Sequence, residues 1–95
     1  MDMKEMRIDK YLWAVRLFKT RTIAADACKN GHVIVNEIVC KPSKSISGGE
    51  SLKVKKGPVW REYKIKALLP QRVGAKVVGE YLQEMASEMS QEILA

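Results

Sequence analysis

The sequence has few of the residues from which catalytic and metal sites are built. It contains two cysteines and one histidine in 95 residues. Cys28 and Cys40 lack the spacing of a metal site and cannot build a disulfide framework, so we expect both to be small buried hydrophobes. His32 has no base or nucleophile at a recognisable spacing, and no serine or carboxylate pair completes a catalytic set. We therefore expect no catalytic residue, no metal and no cofactor.

Long apolar runs and a phosphate-binding loop are also missing. No run approaches the roughly 20 apolar residues of a membrane span, and the first ten residues are too polar for a signal peptide. Gly48 and Gly49 precede a predicted strand rather than a helix, which does not fit a phosphate loop. The sequence thus predicts a cytoplasmic protein without a membrane partner. Its 95 residues, 46% of them hydrophobic, are enough for one small folded domain.

Positive charge is plentiful and unevenly placed. The formal net charge is +6 and the pI is about 9.5, which favours an anionic partner. Residues 1–66 hold 15 Lys and Arg against 7 Asp and Glu, whereas residues 67–95 hold 2 against 4. Because a solvated surface usually mixes its signs, these net charges of +8 and −2 predict a basic binding half and a packing half.

Apolar residues at helical spacing predict two helices joined by a basic turn. The first should span about residues 8–19, and its buried stripe consists of Ile8, Tyr11, Leu12, Val15 and Phe18. The second should span about residues 22–30, and its buried side consists of Ile23, Ala24, Ala27 and Cys28. Between them, Lys19 and Arg21 flank a helix N-terminus that Thr20 or Thr22 can cap, which suits a phosphate group. Gly31 should end the second helix in the left-handed conformation.

Two ring-bearing residues near these helices have no place in the predicted core. Trp13 lies opposite the buried stripe, among charged residues. Either another element such as a C-terminal helix covers its indole ring, or the ring stacks on a nucleic-acid base beside basic groups. His32, at the start of a predicted strand, is expected at the surface or in contact with RNA rather than in catalysis.

The residues after Gly31 predict a small antiparallel sheet. Residues 32–36 and 38–41 form a hairpin whose turn is Asn36 and Glu37, although glutamate adopts a positive φ less readily than asparagine. Residues 51–55 alternate Leu52 and Val54 inward with lysines outward. Residues 59–68 form the last predicted strand, whose inward residues are Tyr63, Ile65 and Ala67.

The C-terminal third predicts a connector followed by an amphipathic helix. Residues 69–74 form the connector, and a helix from Ala75 onward would place an apolar stripe opposite four glutamates. That stripe consists of Val78, Tyr81, Leu82, Met85, Met89 and Ile93. It either packs on its own domain or forms a surface for a partner. The predicted division of the chain is a flexible lead at 1–6, a domain at 7–68, and the connector with its helix at 69–95.

Several short motifs together resemble the RNA-binding domain of the ribosomal protein S4 type, also called the alpha-L motif. They are Arg7-Ile8-Asp9-Lys10-Tyr11-Leu12-Trp13, Arg16, Lys19-Thr20-Arg21, Gly31-His32-Val33, Val35-Asn36 and Lys41-Pro42-Ser43. The resemblance covers residues 7 to about 55. Within it, the sequence is most similar to the heat-shock protein 15 family of ribosome-associated RNA-binding proteins.

This resemblance implies an α+β fold, in which two helices pack on a small, strongly bent antiparallel sheet and a C-terminal helix follows. In the family, the start of the first helix, the inter-helix turn and the second helix hold structured RNA. Asp9 is expected to orient a neighbouring Arg or Lys, because a carboxylate repels phosphate. The expected RNA-binding residues, including the two ring-bearing ones, are Arg7, Lys10, Trp13, Arg16, Lys19, Thr20, Arg21, Lys29, His32, Lys41 and Ser43.

The resemblance also implies a role. Proteins of this family bind the large ribosomal subunit when dissociation of a stalled ribosome has left a peptidyl-tRNA on it. The chain is therefore expected to be a non-catalytic, monomeric rescue factor whose partners are ribosomal RNA, the large ribosomal subunit and tRNA. Two alternatives stay open, an adaptor that binds protein through the C-terminal stripe and a general binder of structured RNA or tRNA. RNA binding should weaken steeply with salt, whereas an adaptor's binding should survive it.

Overall fold

Two short helices pack on an antiparallel sheet in the computed structural model, which describes residues 4–85. The helices are α1 (Ile8–Ala14) and α2 (Arg21–Lys29), and a 3-10 helix (Ala75–Glu80) precedes the last strand. The strands are β1 (Met6–Arg7), β2 (Val33–Val35), β3 (Ile38–Val39), β4 (Ser45–Ile46), β5 (Ser51–Lys56), β6 (Val59–Ile65) and β7 (Leu82–Met85). The large sheet has the order β3-β2-β5-β6-β7, and β1 pairs separately with β4. The predicted α+β fold is confirmed.

The buried side of the sheet follows the predicted alternation. Leu52 lies opposite Tyr63 in the β5–β6 ladder, and both are buried together with Val54 and Ile65. Tyr11 of α1 enters the same core and donates its hydroxyl to the Tyr81 carbonyl at 2.7 Å. Burial raises the pKa of Tyr11, so its hydroxyl stays protonated and able to donate.

Helix α1 ends five residues earlier than the predicted boundary at Lys19, at Ala14. Arg16 adopts a φ of +65°, and the N–H groups of Arg16 and Leu17 donate to the carbonyls of Trp13 and Leu12, each at 3.0 Å. This is the Schellman pattern that ends a helix, and arginine occupies the position that glycine usually takes. The stripe from Ile8 to Val15 is buried as predicted, whereas Phe18 is half-buried beyond the helix.

Helix α2 forms close to the predicted position but buries one residue fewer. Thr20 is its N-cap, since its hydroxyl accepts a hydrogen bond from the Ile23 N–H at 3.0 Å. Ala24, Ala27 and Cys28 are buried as predicted, but Ile23 is 47% exposed. The small side chains fix which side of α2 faces the core, and Ile23 lies about 100° away from Ala24 around the axis. Gly31 follows as the left-handed cap, with a φ of +76°.

The predicted C-terminal helix is wrong over residues 75–85. The chain forms the 3-10 helix there and then β7, which pairs with β6 and so satisfies backbone groups along a sheet edge. Leu82 is nevertheless buried, and Val78 and Tyr81 pack against the core, whereas Met85 is exposed. The remainder of the predicted helix, residues 86–95, lies outside the described residues.

The start of the chain is tied down earlier than the predicted lead allows. Met6 is buried and belongs to β1, which pairs Met6 with Ile46 and Arg7 with Ser45. Residues 1–3 of the lead lie outside the described part, and the division of the chain at 68/69 stays a prediction. Between residues 4 and 85, no helix is both long enough and apolar enough to cross a membrane.

The hairpin turn between β2 and β3 offers a test of the fold. Asn36 and Glu37 both have positive φ, at +50° and +70°, as in a type I′ turn. A left-handed conformation costs a residue other than glycine roughly 1–2 kcal/mol, and the exposed Glu37–Lys53 ion pair at 3.2 Å offsets little of that. We expect Glu37→Gly to raise the free energy of unfolding by about 0.5–1 kcal/mol, measured by chemical denaturation. Glu37→Ala, which removes the carboxylate and keeps the strain, should give no gain; equal gains from both variants would contradict this explanation.

Candidate nucleic-acid interface

The loop between α1 and α2 is held in place by contacts from distant parts of the chain. The Arg72 guanidinium donates to the carbonyls of Trp13 at 3.2 Å and Phe18 at 3.5 Å. The Lys56 ammonium donates to the Leu17 carbonyl and lies 4.1 Å from the centroid of the Phe18 ring. Burial, and after it the charge of Arg61, lowers the pKa of Lys56. These contacts give the loop a fixed path although it has no regular secondary structure.

Arg16 lies in the first turn of this loop, in a backbone conformation that arginine rarely adopts. Its left-handed φ of +65° is required by the α1 cap, and its guanidinium makes one long contact, with the Val73 carbonyl at 3.4 Å. The side chain is otherwise exposed. Strain of this kind, where glycine would fit without it, is commonly kept for function. Arg16 therefore presents a guanidinium to solvent at a fixed point beside the loop.

A second cationic feature consists of Asp9 and the two arginines that contact its side chain, Arg7 and Arg21. We call these three residues the Asp9 cluster. Arg7 donates to both Asp9 carboxylate oxygens, at 3.2 and 2.9 Å, and Arg21 donates to one of them at 3.3 Å. The Asp9 side chain is only 6% exposed, whereas those of Arg7 and Arg21 are 55% and 46% exposed. The expectation that Asp9 orients neighbouring basic residues agrees with these contacts. The cluster carries a net charge of +1 and keeps unused guanidinium N–H donors facing water.

The segment after β3 completes this side of the molecule. The N–H groups of Ile8 and Asp9 donate to the carbonyls of Lys44 at 2.8 Å and Pro42 at 3.3 Å. These bonds satisfy two of the free N–H donors at the start of α1 with protein carbonyls. Lys41 and Ser43 flank Pro42 in sequence, so these bonds place both exposed residues near the backbone of Asp9.

The structure divides the predicted RNA-binding residues by position. Those next to the inter-helix loop, the Asp9 cluster or the segment after β3 are Arg7, Arg16, Lys19, Thr20, Arg21, Lys41 and Ser43, and all are exposed. Lys10 is half-buried on α1. Lys29 and His32 lie apart from the loop, at the C-terminal end of α2. Since Thr20 uses its hydroxyl as the N-cap, its remaining capacity for a ligand is reduced.

Trp13 is covered by the connector. The Arg72 guanidinium carbon lies 5.9 Å from the Trp13 ring centroid, and the half-buried indole packs against the core. The expectation that another element covers this ring therefore agrees with the structure, but the element is the connector at residues 69–74 rather than a C-terminal helix. A stacking role for Trp13 stays a prediction.

The two cysteines are packed as structural thiols. Cys28 and Cys40 are both buried, and the Cys40 Sγ donates to the Val33 carbonyl at 3.7 Å. A hydrogen bond with Cys40, together with burial, raises the pKa of Cys28, which keeps that thiol protonated and unreactive. Within residues 4–85, no group of three His, Cys, Asp or Glu residues is placed to hold a metal ion.

Comparison with known proteins decides the family. The S4 domain family model matches residues 6–52. A Heat shock protein 15 homolog of Haemophilus influenzae is 42% identical over 86 residues, which cover 90% of this chain and 66% of that protein. A solved trimeric structure of Heat Shock Protein 15 of Vibrio cholerae matches with a TM-score of 0.86 at 33% identity, over 97% of this chain and 94% of that one. The chain belongs to the heat shock protein 15 family.

A further relative has a more specific name. The RQC P-site tRNA stabilizing factor of Listeria innocua is 40% identical over 53 residues, which cover 56% of this chain and 58% of that protein. The chain spans slightly less than two thirds of the curated relatives named here, 66% of one and 58% of the other. The resemblance to the heat shock protein 15 family that the sequence motifs indicated is confirmed.

Sequence reasoning missed the residues that fix the interface from outside the S4 domain. Arg72 and Lys56 both lie beyond the matched residues 6–52, and each bonds a carbonyl of the inter-helix loop. Neither lies near the loop in sequence, so helical or strand periodicity gives no sign of the contact. One available signal was that Arg72 is one of only two basic residues after residue 66.

The Asp9 cluster predicts the effect of a nearly isosteric change. Asp9→Asn removes the charge that holds Arg7 and Arg21, and it leaves an amide N–H₂ facing a guanidinium. We expect the free energy of unfolding to fall by about 1–3 kcal/mol, because hydrogen bonds to charged groups are among the stronger ones. Asp26→Asn, on an exposed position of α2, is the matched control and should change it by about 0.5 kcal/mol or less. Equal effects of the two changes in chemical denaturation would show that the Asp9 cluster contributes no stability.

Proposed function

We propose that this chain is a non-catalytic RNA-binding protein that holds structured ribosomal RNA. The observation that carries the proposal is the set of three arginines, Arg7, Arg16 and Arg21, each contacted by protein groups yet exposed around the inter-helix loop. Guanidinium groups match phosphate oxygens with paired N–H donors. Because their positions are restrained before binding, less side-chain entropy is lost when RNA arrives.

The finer proposal concerns which RNA is bound. Two short helices and a small sheet offer a shaped, rigid surface, which suits folded RNA better than an extended single strand. The names of the relatives support a ribosomal role, since one of them is called an RQC P-site tRNA stabilizing factor. We infer that the target is the large ribosomal subunit with a retained peptidyl-tRNA, and that binding serves the rescue or recycling of stalled ribosomes in the cytoplasm.

The two alternatives have less support. An adaptor would need the apolar C-terminal stripe to be free, but Leu82 is buried and Val78 and Tyr81 pack against the core of the same chain. A general binder of structured RNA or tRNA uses the same cationic surface, since phosphate contacts carry little sequence information. Competition between ribosomal subunits and free tRNA separates that alternative from the ribosomal proposal.

Salt dependence tests the location of the RNA surface. Replacing Arg16, Lys19 and Arg21 together by Ala should reduce the slope of log affinity against log salt by roughly two to three units, about 0.7–0.9 for each phosphate that is no longer neutralised. The matched control removes three charges elsewhere, at Lys53, Lys64 and Lys66, and should change the slope by less than about one unit. Equal changes in the two triple variants, with folding intact, would contradict the assignment of the surface to the inter-helix loop.

Sedimentation tests the ribosomal target. At near-physiological salt the protein should migrate with large subunits rather than with small subunits or translating ribosomes. Its occupancy should be higher on large subunits that carry peptidyl-tRNA than on empty ones. Equal binding to both kinds of large subunit would remove the rescue role and leave RNA binding standing. Migration with small subunits alone would contradict the large-subunit assignment. So would protein that stays at the top of the gradient and migrates with no ribosomal particle.

A further inference from the structure

Trp60 on β6 lies outside the hydrophobic core that the rest of the sheet helps to build. Residues 59–65 alternate along the strand, and the buried Tyr63 and Ile65 point toward the helices. Trp60 therefore points to the opposite, outer side of the sheet. Among the described residues, it is not one of the half-buried apolar side chains that pack against the core. Trp60 is half-buried, and its contacts with the core do not explain a tryptophan at this position.

The neighbours of Trp60 on the outer side are a lysine and a histidine. Lys55 is its cross-strand partner on β5. The Lys55 N–H donates to the His32 carbonyl at 2.8 Å, so His32 lies next in the same row. Because Val33 is buried, alternation directs the His32 side chain to the outer side as well. His32, Lys55 and Trp60 thus occupy neighbouring backbone positions on three adjacent chain segments, with their side chains directed to the same side, and we call them the outer row.

The charge of the outer row suits an anion. Within residues 4–85 the Lys55 ammonium forms no ion pair, whereas Lys53, two residues earlier, is bound to Glu37 at 3.2 Å. The nearest carboxylate on the same side of β6 is Glu62, which lies opposite Lys53 rather than Lys55. The Lys55 ammonium therefore keeps its positive charge. Glu62 and Glu37 both lie beside Lys53, so the cationic site covers only the end of the sheet that holds Lys55.

The outer row begins where α2 ends. His32 directly follows the left-handed cap of α2, and its N–H donates to the Ala27 carbonyl at 2.9 Å. The exposed Lys29 stands in the last turn of the same helix. The C-terminal end of α2 thus places the exposed Lys29 three residues before His32.

We propose that the outer row is a second RNA contact, in which one unpaired base stacks on the Trp60 indole and Lys55 binds the adjoining phosphate. The proposal rests on the proposed function, since it adds a second contact to the same RNA. An indole offers a flat face to any base, and a lysine beside it supplies charge without selecting a sequence. Only an unpaired base is free to leave its own helix and stack on a side chain. The second contact thus recognises a single-stranded nucleotide next to the structured RNA.

The test compares two RNA probes, a blunt hairpin and the same hairpin with a five-nucleotide adenosine extension. Wild-type protein should bind the extended hairpin about five- to a hundredfold more tightly, the range measured for stacking on one aromatic side chain. Trp60→Leu should lose most of this difference and keep only what Lys55 gains from the added phosphates, whereas Trp60→Phe, which keeps an aromatic face, should retain most of it. Val77→Ser, which removes an exposed apolar side chain from the 3-10 helix, should bind as wild type does.

Two results would overturn the proposal. The first is a wild-type protein that binds both hairpins equally, and the second is a Trp60→Leu variant that binds each as wild type does. If that Trp60→Leu variant also loses self-association in sedimentation, the outer row is a contact between copies of the chain. Failure of wild-type protein to bind either hairpin would remove the proposed function too. Fluorescence gives a separate readout, since in a Trp13→Phe background the extended hairpin should quench Trp60 and the blunt one should not.

Discussion

The carboxylate of Asp9 is the group around which the cationic side of this protein is arranged. It is nearly buried, and two guanidinium groups from different elements converge on it. An isolated buried carboxylate would be costly, so the two arginines offset its desolvation. In return, Asp9 fixes the distance between Arg7 on β1 and Arg21 on α2, which would otherwise repel each other. The same residue also links the start of α1 to the segment after β3, because its N–H donates to the Pro42 carbonyl.

A second constraint acts at the other end of α1. The helix ends through a left-handed arginine where glycine would be unstrained, at a cost of roughly 1–2 kcal/mol. Contacts from Arg72, Lys56 and the N–H of Val73 to carbonyls of residues 13–18 hold the loop that follows. The connector and the sheet thereby stabilise the geometry of a loop that lies within the S4 domain. We infer that Arg72, Lys56 and Val73 contribute to the interface by positioning this loop rather than by contact with RNA.

Much of the fold could be predicted because its sequence signals are local. Thr20, Gly31 and the alternation around Leu52 each act within a few residues, and all three behave as predicted. The errors arise where distant contacts decide. The early end of α1 requires a positive φ at Arg16, which its sequence does not predict. Val78, Tyr81 and Leu82 reach the core through a 3-10 helix, its cap and a strand instead of an α-helix. Among the candidate site residues, the sequence predicted the role of Asp9 but neither Arg72 as a positioning residue nor the alignment of His32 with Trp60.

We propose that a set of restrained arginines around the inter-helix loop binds ribosomal RNA of the large subunit. Ultraviolet cross-linking in cells tests it directly when the cross-linked peptides are mapped by mass spectrometry and the bound RNA is sequenced. The account predicts cross-links in peptides from residues 7–21 and 29–44, joined to large-subunit ribosomal RNA and to tRNA. Cross-links confined to peptides of β6 and β7, or RNA drawn from the small subunit or from messenger RNA, would contradict it.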